Sequence, residues 1–396
     1  MNGPSQARRL LGGLLLVGLG VGMALLILEA GVRILHLVPD RFWRPDPLLG
    51  TALVPDAHGW WTQEEHEFFV PVTINAAGRR DLDRPVAKAP GTFRILLLGD
   101  SFVEALQVPI EETFARGLER ALTRPRGPTV EVVSMGVSGY GTAGEYLWYR
   151  EIGRRFDADL VLLSFYPGND VRNNSPTLEP ALRPIYAPDG TLQRVDGGRG
   201  GDGAARAGGW SKAYTYLRKL VLSRQPVLAA RLAEWGLVDR AALRPLPVQA
   251  GVPVDYWVFA TPPPPDWQDA WVHTEGLLRA LRDAVRADGA ELVVMVVTSR
   301  EQVYPADWEA LQETYPALRA SSWDLDGPER RVLGWCAGEQ VDCVALSPAF
   351  RAARDGAPRL HWHFDGHWTA AGHALAAQTM TQALSARVPA QDKEAQ

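Results

Sequence analysis

Phe93 to Ser101 reads Phe-Arg-Ile-Leu-Leu-Leu-Gly-Asp-Ser, and its apolar run Ile95 to Leu98 constrains the fold more than any other stretch. Four apolar residues closed by a glycine suit a strand buried on both faces. The run stops at Gly99-Asp100-Ser101, after which Phe102, Leu106, Phe114, Leu118 and Leu122 recur at roughly helical spacing around a turn at Pro109. A serine at the carboxyl end of a buried parallel strand, just ahead of a helix, sits where α/β sheets place their ligands. The helix amino terminus beside it favours negative charge. Alone, the tripeptide is equally well explained as a turn and a helix cap.

The same rhythm recurs. Val130 to Met135 reads as a second buried strand, ending in Gly136-Val137-Ser138-Gly139-Tyr140-Gly141-Thr142, with a helix from about Gly144 to Arg155. Leu160 to Tyr166 reads as a third, ending in Pro167-Gly168-Asn169-Asp170. Strand, glycine-bearing loop and helix in repetition predict an α/β protein, a parallel sheet with helices on both faces. Arg172 to about Asp269 breaks the pattern, with a glycine-rich stretch near position 200 and four prolines at Pro262 to Pro265. So long an irregular stretch is expected to be an insertion or cap, with two short helices of its own within Lys212 to Leu237. Alternation then resumes, with helices over Trp271 to Arg286, around Trp308 to Leu318, near Pro328 to Ala337 and over Thr369 to Leu384. Strands are expected at Glu291 to Val297 and Val341 to Leu346.

Leu10 to Leu28 carries no charge and follows Arg8 and Arg9. As a helix it rises about 28 Å, enough to cross a bilayer core. Leu28-Glu29-Ala30-Gly31 is a poor signal-peptidase site, so the stretch reads as an uncleaved anchor with its arginine-bearing end inside and the bulk outside. The expected organisation is a short cytoplasmic end at 1–9, an anchor and exit at 10–35, and a juxtamembrane segment at 36–92. A catalytic domain at 93–388, with its insertion at about 172–269, and a loose tail at 389–396 complete it. Within the juxtamembrane segment Phe68 to Asn75 reads as an edge strand, because Pro71 excludes a central one.

A net charge of −5 and the lack of a basic stripe exclude a nucleic-acid partner. The 14 tryptophans fit packing first and sugar platforms second. Cys336 and Cys343 lie seven positions apart. A small disulfide between a helix end and the next strand and two unpaired core thiols both fit that spacing.

Three strand ends and one late loop bring the chemistry: Ser101, Gly139, Asn169, and the pair Asp365 and His367. Ester hydrolysis needs a nucleophile, a base, a group that orients the base and donors for the oxyanion. Ser101, His367 and Asp365 supply the first three. The backbone N–H groups of Ser101 and Gly139 and the Asn169 amide supply the last. Asp100 and Asp170 read as loop supports. This chemistry calls for no cofactor and no metal.

These blocks resemble the SGNH (GDSL-like) hydrolase superfamily: Gly99-Asp100-Ser101, then Gly139 within Ser138-Gly139-Tyr140, then Gly168-Asn169-Asp170, then Asp365 and His367. The resemblance implies a flavodoxin-like three-layer α/β/α sandwich and serine acyl hydrolysis or transfer. The usual last block is Asp-x-x-His, whereas here Asp365-Gly366-His367-Trp368 puts tryptophan at the position of that histidine. This tighter form is similar to that of proteins that O-acetylate bacterial exopolysaccharides such as alginate in the periplasm, usually beside a membrane acyltransferase partner. The spacing leaves open whether Asp365 or another group orients His367.

Two other readings stand beside this one. His361-x-His363 with Asp365 near it admits a metal site, although His361, His363 and His373 read more simply as surface or rim histidines. A catalytically silent module, binding glycan through aromatic rings, is the second. The expectation is an envelope-facing esterase on ester-linked acyl, above all acetyl, groups, or an O-acetyltransferase of an envelope glycan.

Overall fold

The computed structural model describes residues 4–63, 65–125, 127–179, 184–186, 191–195, 211–224 and 248–389. The glycine-rich stretch near position 200, the second helix expected before Leu237 and the tail beyond 389 lie outside them. The chain divides into two compact units, Met1–Asp40 with Arg199–Pro245 and Arg41–Gly198 with Leu246–Gln396.

In the first unit α1 spans Pro4–Ile34. Its stretch Arg8–Ile34 has a mean hydropathy of 2.5 and is long and apolar enough to cross a membrane. Near its end the Glu29 carboxylate accepts from Ser211 Oγ at 2.7 Å and from the backbone N–H of Ala213 at 2.9 Å. That carboxylate so caps the helix Lys212–Arg224, meeting donors that have no partner within the helix.

The second unit opens with two antiparallel hairpins, β1 (Trp43–Asp46) with β2 (Gly50–Leu53) and β3 (His58–Thr62) with β4 (Phe69–Thr73). The predicted edge strand is β4. Val70 and Val72 point into the core, and Pro71 lies opposite Trp60 in a two-stranded ladder that can spare a donor.

Beyond them come β5 (Thr92–Gly99), α2 (Ser101–Glu104), α3 (Phe114–Leu122), β6 (Thr129–Gly136), α4 (Thr142–Glu151), β7 (Leu160–Phe165) and α5 (Pro167–Asn173). After the insertion follow α6 (Pro265–Ala287), β8 (Glu291–Val296), α7 (Arg300–Val303) and α8 (Pro305–Thr314). The chain continues through α9 (Gly327–Glu339), β9 (Asp342–Ala345), α10 (Ser347–Ala353) and α11 (Ala370–Leu384).

The five strands β9-β8-β7-β5-β6 pair in that order, all parallel. Strand alternation sends Leu96, Leu98, Val133, Leu163 and Val294 to one face, against α4, α6 and α9. Ile95, Leu97, Val132, Leu162 and Met295 go to the other, against α3, α10 and α11. Both faces are covered, so the strands read as continuous apolar runs and the architecture is a three-layer α/β/α sandwich.

Several local expectations are corrected. Pro167 to Asp170 is the first turn of α5, with Pro167 at a position where its missing N–H costs nothing. For the same reason α6 begins inside the proline run, at Pro265, six residues before the predicted start. The histidines differ most. His361 and His373 are fully buried, and only His363 is exposed. His361 Nε2 donates to the Thr298 carbonyl at 3.1 Å, and His373 Nδ1 accepts from the Phe114 N–H at 3.1 Å. Each makes a core hydrogen bond as a neutral ring. Burial first, and nearby positive charge second, push both down to about 3. Cys336, at the end of α9, is disulfide-bonded to Cys343 in β9, with Cα atoms 6.1 Å apart.

Candidate active site

Asp100 is wholly buried at the end of β5. Its Oδ1 accepts from the Phe102 N–H at 2.9 Å, capping α2 and setting Ser101 as that helix's first residue. Its Oδ2 accepts from Asn169 Nδ2 at 2.9 Å, which ties the β5 end to the first turn of α5. Asp170 Oδ2 in turn accepts from the Tyr166 N–H at 2.8 Å. Gly136, at the end of β6, lets the backbone of Val103 and Glu104 cross directly over it, because a Cβ there would overlap both.

His367 arrives on a tight turn. His361 and Trp368 form a bridge, Trp362 N–H donates to the His367 carbonyl at 2.8 Å, and Gly366 takes a φ of 83° that only glycine adopts freely. This reversal turns Asp365 and His367 toward one another despite their separation of two. Asp365 Oδ1 lies 2.6 Å from His367 Nδ1, and His367 Nε2 lies 2.7 Å from Ser101 Oγ. A carboxylate only accepts, so Nδ1 carries the proton and Nε2 receives the Ser101 hydroxyl hydrogen. Asp365 is therefore the imidazole's partner. The tryptophan that follows, Trp368, is fully buried between Phe102 and Phe350, at 5.0 and 5.6 Å between ring centres, so its role is in the core.

Burial disfavours the charged imidazole of His367. The hydrogen bond and charge of Asp365, reinforced by Asp100 and Glu104, outweigh it and raise the pKa above the ordinary value. Burial likewise works against the Asp365 carboxylate, but its bond with His367 holds it below the usual range.

Gly139 lies in the loop after β6 at a φ of 78°, its carbonyl accepting from Asn173 Nδ2 at 3.2 Å. Beside it Ser138 Oγ donates to Glu104, which also accepts from Trp43 Nε1 at 2.8 Å. Burial pushes the Glu104 carboxyl up to about 7, against those two hydrogen bonds. Glu145 on α4 is wholly buried, and desolvation, with Asp100 second, drives its carboxyl well above the usual range.

Ser101, Asn169, Asp365 and His367 line a single cavity of about 270 Å³; Gly139 stands outside that lining. Phe102, Tyr166, Pro253 and Phe259 supply apolar wall, and Asp255, Tyr256, Arg300 and Glu301 supply polar wall. Tyr256 Oη donates to Glu301 at 3.0 Å. Arg300 and Glu301 were not anticipated, although they follow β8 at the same rim and the strand-end rule covers them. Asp255 and Tyr256 sit in the irregular stretch and give no sequence signal. Among the described residues no group of three or more histidine, cysteine or acidic side chains could hold a metal ion.

Residues 253–396 match the family model described as the SGNH hydrolase-like domain of the acetyltransferase AlgX. That span includes Asp365 and His367 and leaves out Ser101. No curated protein matches. Similar solved structures include a lipase from a goat rumen metagenome, 11% identical over 75% of this chain and 100% of the other, with a TM-score of 0.40. An acetyl xylan esterase is 11% identical over 74% of this chain and 100% of its own, with a TM-score of 0.39. A catalytic mutant of an acetylxylan esterase from Geobacillus stearothermophilus is 13% identical over 73% of this chain and 93% of its own, with a TM-score of 0.38. Over its carboxyl-terminal part, from residue 253 onward, the chain is thus similar to an SGNH hydrolase-like domain.

Proposed function

We propose that the protein is a serine esterase that removes small ester-linked acyl groups, above all acetyl, from a glycan at the cell envelope. One observation carries this reading: Ser101, His367 and Asp365 form an unbroken hydrogen-bonded relay that opens into a cavity. In this reaction Ser101 Oγ attacks the ester carbonyl carbon while its proton passes to His367 Nε2. The oxyanion is met by the backbone N–H of Ser101 and by the second N–H of the Asn169 amide, whose first is engaged by Asp100; Gly139, outside the cavity lining, is not counted among the donors. Collapse expels the alcohol, which takes the proton back from His367. Water then attacks the acyl-serine with His367 again as base, and collapse breaks the acyl–Oγ bond, releasing the carboxylic acid as His367 returns the proton to Ser101. A cavity of about 270 Å³ suits an acetyl ester with part of its sugar better than a long acyl chain.

A second reading replaces water with a sugar hydroxyl in the last step, making the protein an O-acetyltransferase. The family match favours it, because the matched domain is that of an acetyltransferase. In either case α1 would hold the protein in a membrane, with Arg8 and Arg9 inside and the catalytic unit on the periplasmic or extracytoplasmic side. A membrane acyltransferase partner would then supply the acyl donor for transfer.

The test is an ester panel with and without acceptor sugars, comparing wild type with Ser101→Ala. Hydrolysis of acetyl esters that vanishes in Ser101→Ala supports the esterase, and acetylated sugar as product supports the transferase. Glycan binding with neither turnover nor fluorophosphonate labelling of Ser101 would leave only a silent binding module.

A further inference from the structure

Glu67 lies in the loop that joins β3 to β4, nearly 300 residues from the catalytic turn. Its carboxylate nonetheless takes three successive backbone donors of that turn. Oε1 accepts from the His363 N–H at 2.7 Å, and Oε2 accepts from the Phe364 and Asp365 N–H groups, each at 2.9 Å. Gln63 Nε2 donates to the same Oε2 at 2.9 Å and fixes the carboxylate from its own side. Consecutive N–H groups converging on one anion form a nest, and bonds to an ionised acceptor are about twice as strong as neutral ones. The Phe68 ring packs 5.4 Å from Trp362, so the hairpin holds the turn by an apolar contact as well.

The third donor belongs to Asp365, whose side chain meets His367 Nδ1. Fixing that amide fixes the residue's backbone, and with it the angle from which its carboxylate approaches the imidazole. Among the turn's other ties, Trp362 N–H to the His367 carbonyl, Gly366 N–H to the Trp362 carbonyl and the His361–Trp368 bridge set its ends, and the Arg300 guanidinium donates to the His363 carbonyl. Glu67 sets its crest.

We infer that Glu67 is a positioning residue for the Asp365–His367 pair, holding the turn at the angle that proton transfer from Ser101 requires. This rests on the esterase reading above. The hairpin ahead of the sheet is then part of the catalytic apparatus, though none of its residues lines the cavity.

The experiment uses the full chain and p-nitrophenyl acetate, with wild type, Ser101→Ala, Glu67→Ala and Glu67→Gln assayed across pH, and amide hydrogen exchange read at residues 363–365. Glu67→Ala is expected to lower kcat about 10- to 100-fold with KM within twofold, the size of effect that a small misplacement of reacting groups produces. Its ascending pH limb should move toward lower pH as Asp365 loses its hold on His367, and the amides of 363–365 should exchange faster. Glu67→Gln, which keeps an acceptor oxygen, should recover part of the loss. Activity, pH limb and exchange in Glu67→Ala all within twofold of wild type would overturn the inference while leaving the esterase reading intact. A loss of kcat with an unmoved pH limb and no recovery in Glu67→Gln would also overturn it, since that pattern marks general destabilisation. Full activity in Ser101→Ala would remove the esterase reading and this inference with it.

Discussion

Ser101 Oγ and His367 Nε2 stand 2.7 Å apart although 266 residues separate them in the chain. The contact exists because β5 is a middle strand of the sheet and the last turn before α11 folds back over its carboxyl end. If the relay is the working part, His367→Ala should lower ester turnover about 1,000-fold or more while far-ultraviolet circular dichroism stays unchanged. A variant retaining most of its activity would remove the imidazole from the mechanism.

The acid–base prediction follows from the neighbours of that imidazole. Its pKa is raised, and a general base works in its neutral form, so kcat/KM should climb with pH along a limb centred above 6.5. Asp365→Asn removes the main cause of the rise. The limb should shift down and turnover should fall by about 10,000-fold, as when a triad carboxylate becomes an amide. A limb that stays in place would mean that another group sets it.

The buried histidines make a separate prediction about stability. His361 and His373 are held near 3 in the fold and return to about 6.5 when unfolded. A depressed pKa gives stability that is present above 6.5 and lost as pH falls toward 3, at about 1.4 kcal/mol per pH unit for each ring. Glu104, raised to about 7, acts in the opposite direction over pH 7 to 4.5, so the histidine effect is read by difference. His373→Asn keeps an acceptor for the Phe114 N–H. Compared with wild type in urea unfolding, it should lose about 2 kcal/mol less between pH 7 and 5.

Packing beneath the site can be tested at two positions. Trp368→Ala removes a fully buried indole that touches Phe102, Phe114 and Phe350, and should cost about 3–5 kcal/mol in chemical denaturation. Gly136→Ala forces a methyl into the backbone of Val103 and Glu104, two and three residues after Ser101. It should cost about 1–3 kcal/mol and reduce turnover beyond what the melting temperature explains. An alanine variant with unchanged stability would show that β6 and α2 are less tightly apposed than described.

The sheet was legible because its strands are buried on both faces, which compresses Ile95 to Leu98 and Leu160 to Leu163 into runs of unbroken apolar residues. Ser101 and Asn169 were legible for a related reason, since parallel strands deliver their carboxyl ends to one rim, whereas His367 was legible only through the Asp-x-His-Trp block of its late loop. The rest depended on partners that no local pattern announces. His361 resembled a rim residue until α10, itself unpredicted, supplied Phe350 to cover it. The first hairpin is made of short strands interrupted by proline and charge, and its purpose lies in distant bonds such as Trp43 to Glu104. Asp255 and Tyr256 entered the cavity from a stretch with no periodicity to read.

The order in which the sheet is laid down has a consequence for synthesis. β5, β6 and β7 leave the ribosome early, whereas the turn bearing His367 is among the last structured pieces to emerge. At ordinary elongation rates the gap is on the order of tens of seconds. During that interval Ser101 has no imidazole beside it, so on the proposed mechanism it stays unactivated until the turn before α11 has docked.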